Sequence, residues 1–594
     1  MMKVSDYVAH FLKDAGITHV FAIQGGASAH LIDSLAKCDG IQYICNQHEQ
    51  ASAMAADGFA RVSNGLGCAI ATSGPGATNL LTGCCCAYYD SVPVLFITGQ
   101  VASFRLKGEM QVRQIGFQET ETVKIFSPVT KYAVLINKPE DIRYELEKAV
   151  HIALDGRKGP VLVDIPDDFQ RSEVDVENLR PYVPKPNALT EDTTNIFRLM
   201  LEAIRAIGQA ERPLIIAGWG IHLASAESTF QKFLERVQIP VVATWGGNDL
   251  LAETMACRVG TLGINGARYG NFAVQTADLL IVLGSRLDTH VAGTPLKNFA
   301  PNAKKIVVDI DQGELDKYAR LDFSVNLQIR MDLNAFFDRF LMAWGEAKPR
   351  DLTKWRENLG QWKKKYPVYA DGYDEKKELD PYFFVKTLSY VAPADSIFFC
   401  DTGCSLVWMS QTFEFQEGQR LFSAFNNTPM GYALPAAIGA SFKTGKRIFC
   451  VTGDGGLQMN IQELATVVRH KLNITVFLFE NDGYGMIQRT QDMWFDSIYE
   501  GSDVESGLAF PDFEKIFMTY GFKTFVVDKN EAIRQTLNKI LRLQGPVCVV
   551  IKVPLEAPIV PQIKFGHGLE DMEPNLPREV IQNELNSALG NFSV

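Results

Sequence analysis

The feature that most narrows the fold is a short apolar run, rich in β-branched residues, that recurs between stretches of helical periodicity. HVFAI at 19–23, GCAIAT at 67–72, VPVLFIT at 92–98 and GPVLVDIP at 159–166 are followed by PLIIAG at 213–218, PVVAT at 240–244, DLLIVLG at 278–284 and KKIVVDID at 304–311. RIFCVTGDG at 447–455, ITVFLFEN at 474–481 and PVCVVIKV at 546–553 complete the series. A strand with one wet face alternates apolar and polar residues, whereas unbroken apolar strands alternating with helices imply parallel sheets covered on both faces. The proline-rich stretch from Arg180 to Pro186 and the charged stretch from Lys348 to Asp380 read as linkers. They divide the chain into three doubly wound α/β domains, expected over 1–175, 190–345 and 370–558. The strand pattern is lost after that, so 559–594 reads as a C-terminal tail with a short amphipathic helix. The first and third units share a layout of sheet, glycine turn and helix.

Composition matters mainly for what it excludes. With 594 residues, 46% hydrophobic and 21% charged, the chain supports several cores and is neither disordered nor fibrous. A net charge of −11 argues against a nucleic-acid or anionic-membrane binder, so an anionic ligand has to be met by local groups. The N-terminus interrupts its apolar residues with Asp6, Lys13 and Asp14, and no apolar run approaches the ~20 residues of a membrane span. A soluble, cytoplasmic protein is expected. Eleven cysteines, among them Cys84, Cys85 and Cys86, show no Cys-x-x-Cys pair and read as reduced, packed thiols.

The chemistry concentrates in residues 451–486. The pattern is a strand, a turn at Gly453-Asp454-Gly455-Gly456, a helix, and a second strand ending at Asn481-Asp482-Gly483. Asp454 and Asn481, 27 positions apart, are thus both expected at carboxyl ends of strands, where open α/β sheets bind ligands. Carboxylate and amide oxygens suit octahedral Mg²⁺ that also holds phosphate oxygens, and the N–H groups after Gly455 add donors toward the same anion. An isolated Gly-Asp-Gly reads equally well as a plain turn; the Asn-Asp-Gly at this spacing is the more specific signal.

This pair, and the surrounding segments, resemble the thiamine-diphosphate enzymes, and over nearly the whole length the chain is similar to the large subunit of acetolactate synthase. The resemblance implies that the three domains bind, in order, the cofactor's pyrimidine, a nucleotide of the FAD type, and the diphosphate with Mg²⁺. It implies that Glu49, in QHEQASAMAADGFAR, exchanges a proton with pyrimidine N1′. Gly74, Gly76 and Asn79 would shape the pyrimidine-side loop, with Phe117 and Gln118 facing the reacting centre. In the diphosphate domain it implies cofactor contacts from Thr402, Gly403, Cys404 and Ser405, from Met430 as an apolar prop, and from Gly453, Asp454, Gly455, Gly456, Asn481, Gly483, Tyr484, Gly485 and Met486. Asp454, Asn481 and Gly483 would hold the metal, and Gly284, Arg286, Asp309 and Asp311 a FAD in the central domain. A homodimer or homotetramer with active sites between subunits is implied as well.

Four departures bear on substrate. The family's Gln-His in the diphosphate loop is Cys404-Ser405, its acceptor-pocket tryptophan is Thr490, the second arginine of its Arg-Phe-Asp-Asp-Arg motif is His290, and the lysine of its Pro-Lys-Asp is Asp167. An arginine fork matches a carboxylate as histidine cannot. The expected reaction is decarboxylation of a 2-oxo acid, with pyruvate as donor, and ligation of the two-carbon unit to a carbonyl acceptor. A true acetolactate synthase of branched-chain amino acid biosynthesis and a simple 2-oxo-acid decarboxylase or lyase are the alternatives; a catalytically dead homologue is disfavoured by intact Glu49, Asp454 and Asn481.

Overall fold

The computed structural model describes residues 1–184, 193–369, 378–563 and 566–590. The expected linkers and the boundaries at 190 and 370 run into 185–192 and 370–377, outside the described residues.

Three sheets, each of six parallel strands, succeed one another along the chain. Their central strands, such as Gly67–Ala71, Leu279–Leu283 and Ile474–Glu480, are buried along their whole length, which is why the sequence shows apolar runs without alternation. With strands numbered from the start of each sheet, the first and third share the order 2-1-3-4-6-5, and the central sheet runs 3-2-1-4-5-6. The latter is the order of dinucleotide-binding folds, with its crevice where the order reverses. Helix starts are set locally: Asp332 accepts from the N–H groups of Asn334 and Ala335, and Asp380 from those of Tyr382 and Phe383 ahead of Pro381.

The first and third domains meet through two helices rich in small residues, Glu49–Ser63 and Ala433–Thr444. A side chain at Gly439 would put its Cβ 1.9 Å from the carbonyl oxygen of Ala55, so the two backbones touch there. A fully buried polar junction lies beside this contact. Arg61 bonds to Asp57 (2.6 Å), to Asp90 (2.8 Å) and to the Ser423 carbonyl (2.8 Å), and the Tyr432 hydroxyl donates to Asp57. Asp90 in turn accepts from the N–H groups of Phe425 and Asn426, and its carbonyl from the Trp219 indole of the central domain. Three domains therefore share one set of charges.

The C-terminal segment departs from the expected tail. Its helix, Arg578–Gly590, is present, but Leu569, Met572, Ile581 and Ala588 belong to the hydrophobic core of the central domain. Asn271 and Arg268 donate to the carbonyls of Leu569 and Met572, and the Trp362 indole to Glu584. Part of the segment also pairs as a short antiparallel ladder, Gln562–Ile563 against Met572–Glu573, so a few apolar residues suffice to close an existing core.

A second polar junction joins the central and third domains. Buried His222 lies 2.7 Å from Glu227 and 2.8 Å from Asp249, and Asp249 also accepts from Arg420 (2.9 Å) and from the Leu421 N–H. Burial opposes a charge on His222, as does Arg420, but Asp249 and Glu227 outweigh both and raise its pKa above the ordinary value. A raised histidine stabilises the fold fully below the unfolded value of about 6.5 and loses that contribution as pH climbs through the folded value. Thermal unfolding from about pH 6 to 9 should therefore show falling stability, and His222→Gln should flatten that slope while costing roughly 1–3 kcal/mol at the acid end. An unchanged slope in the variant would assign the pH dependence to another group.

Candidate functional site

In the third domain the strand order reverses between Ile397–Cys400 and Ile448–Gly453, and the loops leaving these two strands build one half of the site. Asp401 follows the first strand directly. Burial pushes its carboxyl up to about 6, against hydrogen bonds from the Thr452 hydroxyl and from the backbone of Gly431, Thr402 and Tyr432. One carboxylate thus fixes Met430-Gly431-Tyr432 over the glycine turn. Gly455 lies beneath that prop: a Cβ there would stand 2.9 Å from Met430 Cε and 2.3 Å from the Tyr484 ring. Thr402 and Gly403 lie in the same loop. The Ser405 hydroxyl turns inward to the carbonyls of Thr402 and Asp401 (3.3 and 3.4 Å).

Gly453 precedes the short helix Asp454–Met459. Asp454 accepts from the N–H groups of Gly455 (2.6 Å), Asn481 (2.9 Å) and Asp482 (2.8 Å). The Gly455 N–H, expected to face an anion, is thereby taken by the aspartate itself. Burial raises the Asp454 carboxyl to about 6, against those three bonds. The Asn481 amide end facing it lies 3.3 Å from Asp454 Oδ2 and 3.1 Å from the Gly483 carbonyl oxygen. With the amide oxygen inward, three oxygens converge with no proton between them, the hard donor set of a divalent cation; with nitrogen inward, the amide bonds to both. Tyr484, Gly485 and Met486 follow at the start of the helix Gly485–Trp494, which carries Thr490 exposed on its surface.

The first domain builds the other half. Glu49 opens its helix, 9% exposed, and Asn79 donates to it at 2.9 Å. Gly76 backs onto the same carboxylate, where a Cβ would lie 3.4 Å from Oε1. Gln118 packs on Gly74, but Phe117 is 85% exposed and faces no centre within this chain. Sequence reasoning missed Glu119, whose buried carboxylate accepts from the N–H groups of Lys107, Ile115 and Gly116 and shapes the loop carrying Phe117 and Gln118. A carboxylate just after an apolar-aromatic turn was the only signal. The two halves are tied within one chain just beside the site: the Asn46 amide and the Gln47 N–H, immediately ahead of Glu49, donate to Glu463 (3.0 and 2.7 Å), and the Tyr432 hydroxyl donates to Asp57, while Glu49 and Asp454 themselves take no part in these bonds.

Where the central sheet reverses, a cavity of about 370 Å³ opens, reached also by Asp90, Arg157 and Lys158 of the first domain and Asn426 of the third. Gly284, Arg286 and Asp309 line it, as sequence reading placed them. Burial raises the Asp309 carboxyl to about 6. Asp311 instead pairs with Arg157 (2.8 Å) and caps the next helix through the Gly313 N–H. His290, read as an acceptor-pocket residue, sits in this cavity wall, its ring centroid 3.8 Å from that of Trp245, and burial lowers its pKa. The acceptor argument therefore falls on Thr490.

A glycine turn holding a buried aspartate, an asparagine at the next strand end and a buried helix-start glutamate in a separate domain define a thiamine-diphosphate enzyme. Profiles described as thiamine pyrophosphate enzyme match residues 2–124 (N-terminal TPP binding domain), 200–339 (central domain) and 401–551 (C-terminal TPP binding domain), and the chain belongs to this family. Among its relatives, the acetolactate synthase of Arthrospira platensis is 32% identical over 568 residues, 94% of this chain and 96% of that protein. The probable acetolactate synthase large subunit of Methanocaldococcus jannaschii is 33% identical over 577 residues, 94% of each chain. The acetolactate synthase large subunit of Lactococcus lactis is 32% identical over 571 residues, 96% of this chain and 95% of its own.

Proposed function

We propose that the protein decarboxylates a 2-oxo acid, pyruvate, and ligates the two-carbon unit to a carbonyl acceptor, with Asp454, Asn481 and the Gly483 carbonyl holding Mg²⁺. The observation that carries this reading is the convergence of the Asp454 carboxylate, the Gly483 carbonyl and the Asn481 amide, which can turn its oxygen inward, beside the Met430 prop. Thiamine diphosphate, when bound, supplies the electron sink for decarboxylation. Glu49 holds the proton for pyrimidine N1′, and Asn79 fixes which way its carboxylate points. Asp401, by fixing Gly431, keeps Met430 in place, and the apolar prop excludes water from the reacting side. Gly284, Arg286 and Asp309 would hold a FAD in the central cavity, whose wall also carries Arg157 and Lys158.

The working assembly is a homodimer or homotetramer whose sites lie between subunits. Phe104, Phe117, Trp494 and Phe495, 56–85% exposed in the single chain, form the apolar surface such an assembly would cover. We place domain limits at 1–175, 190–345 and 370–558, with 559–594 as a C-terminal segment whose described residues close the central domain's core, and a cytoplasmic location; no helix among the described residues is long and apolar enough to cross a membrane. Incubation with pyruvate and a panel of aldehydes, ketones and keto-sugars, read by mass spectrometry, tests the function. Pyruvate should serve as donor but poorly as acceptor, and Thr490→Trp should shift product toward acetolactate. Acetolactate formed from pyruvate alone at a biosynthetic rate would refute the altered acceptor.

A further inference from the structure

Building on that reading of the site, we propose that Arg489 binds the cofactor diphosphate, supplying the cationic contact that this chain lacks at Cys404-Ser405. Neither residue of that pair offers charge. The Ser405 hydroxyl is spent on two carbonyls, and burial pushes the Cys404 thiol up to about 12, with Arg489 pulling the other way. Around them stand Asp401, Asp454 and Asp482, in a chain of net charge −11. One divalent cation leaves several diphosphate oxygens to be met by N–H donors or by a cationic side chain, and a guanidinium does both at once.

The helix Gly485–Trp494 brings one. Its first residue is pressed onto the site: a Cβ on Gly485 would lie 3.1 Å from the Cys404 sulfur and 3.2 Å from the Asn481 amide. Arg489 follows four residues later, on the same helical face one turn along. Its side chain is 23% exposed, so the guanidinium lies against the protein rather than extending into solvent. Asp492 orients it through Nη1 at 2.9 Å and is itself held by the Tyr499 hydroxyl at 2.7 Å. A guanidinium carries five N–H donors in a fork that suits two phosphate oxygens, and a single contact to Asp492 leaves that fork available.

Calorimetric titration of the cofactor-free protein with thiamine diphosphate and Mg²⁺, and separately with unphosphorylated thiamine, tests the assignment on wild type, Arg489→Gln and Arg489→Lys. Arg489→Gln should weaken diphosphate binding about tenfold or more, the scale of a lost charge-assisted contact, and leave thiamine binding unchanged. It should also bind with a shallower dependence on added salt, and Arg489→Lys should recover part of the loss. Unchanged diphosphate affinity in Arg489→Gln overturns the proposal, as does an equal loss for thiamine, which would mean a distorted site. If Asp454→Ala also binds thiamine diphosphate like wild type, it is the underlying assignment of the diphosphate domain that fails.

Discussion

Asp454→Ala is expected to release both Mg²⁺ and thiamine diphosphate, with affinity for the cofactor falling by about 10² or more. Truncating one partner of a buried charged contact costs about 2–5 kcal/mol, and this carboxylate does two things at once. It gives a cation its only full negative charge among the three converging oxygens, and it draws the backbone of Gly455, Asn481 and Asp482 into their positions. Alanine removes the charge and leaves three N–H groups without their acceptor. Asp454→Asn keeps part of that hydrogen bonding and should fall between the two. Titration of the cofactor in the presence of Mg²⁺ reads the result, and undiminished affinity would count decisively against this metal site.

Glu49→Gln should behave in the opposite way, keeping the fold, the Mg²⁺ site and the cofactor while lowering turnover by about 10² or more, the scale of losing a positioned acid or base. The amide fills the same space, but it cannot exchange a proton with the pyrimidine. Asn79 would remain beside it. Because Glu49 and Asp454 belong to different domains, and neither takes part in the hydrogen bonds that join those domains within one chain, mixing the two inactive variants tests the assembly. Hybrid sites pairing an intact Glu49 with an intact Asp454 should restore part of the activity. No restoration, with subunit exchange independently confirmed, would place the whole site within one chain.

What could be read before the structure depended on how local the cause was. Parallel sheets follow from the unbroken apolar runs, and Asp454 and Asn481 from strand ends and glycines, all short-range signals. The shared strand order of the first and third sheets follows the likeness seen in their layouts. Asp309 and Asp311 could not be told apart in this way, because their roles were decided by Arg157, 154 positions from Asp311. His222 gave no hint of its part, since Asp249, which raises its pKa, is 27 positions on and the Arg420 that holds that aspartate is 171 positions further. Phe117 is singled out by the sequence, and in the single chain it is 85% exposed. Buried polar pairs have no period, and apolar residues in irregular segments such as the C-terminal one are indistinguishable from surface ones until the core they close exists.

The charge junction at Arg61 sets a timetable for synthesis. Arg61, Asp57 and Asp90 leave the ribosome early, but the Ser423 carbonyl that completes the arginine's bonding is made 362 residues later. At about 5–20 residues per second that is a wait of roughly 20–70 s. During it, the small-residue face of Glu49–Ser63 stands bare beside charges that Trp219 of the central domain reaches first and that Ser423 and Tyr432 of the third domain complete. The first domain therefore waits on segments of its own chain that have yet to be translated.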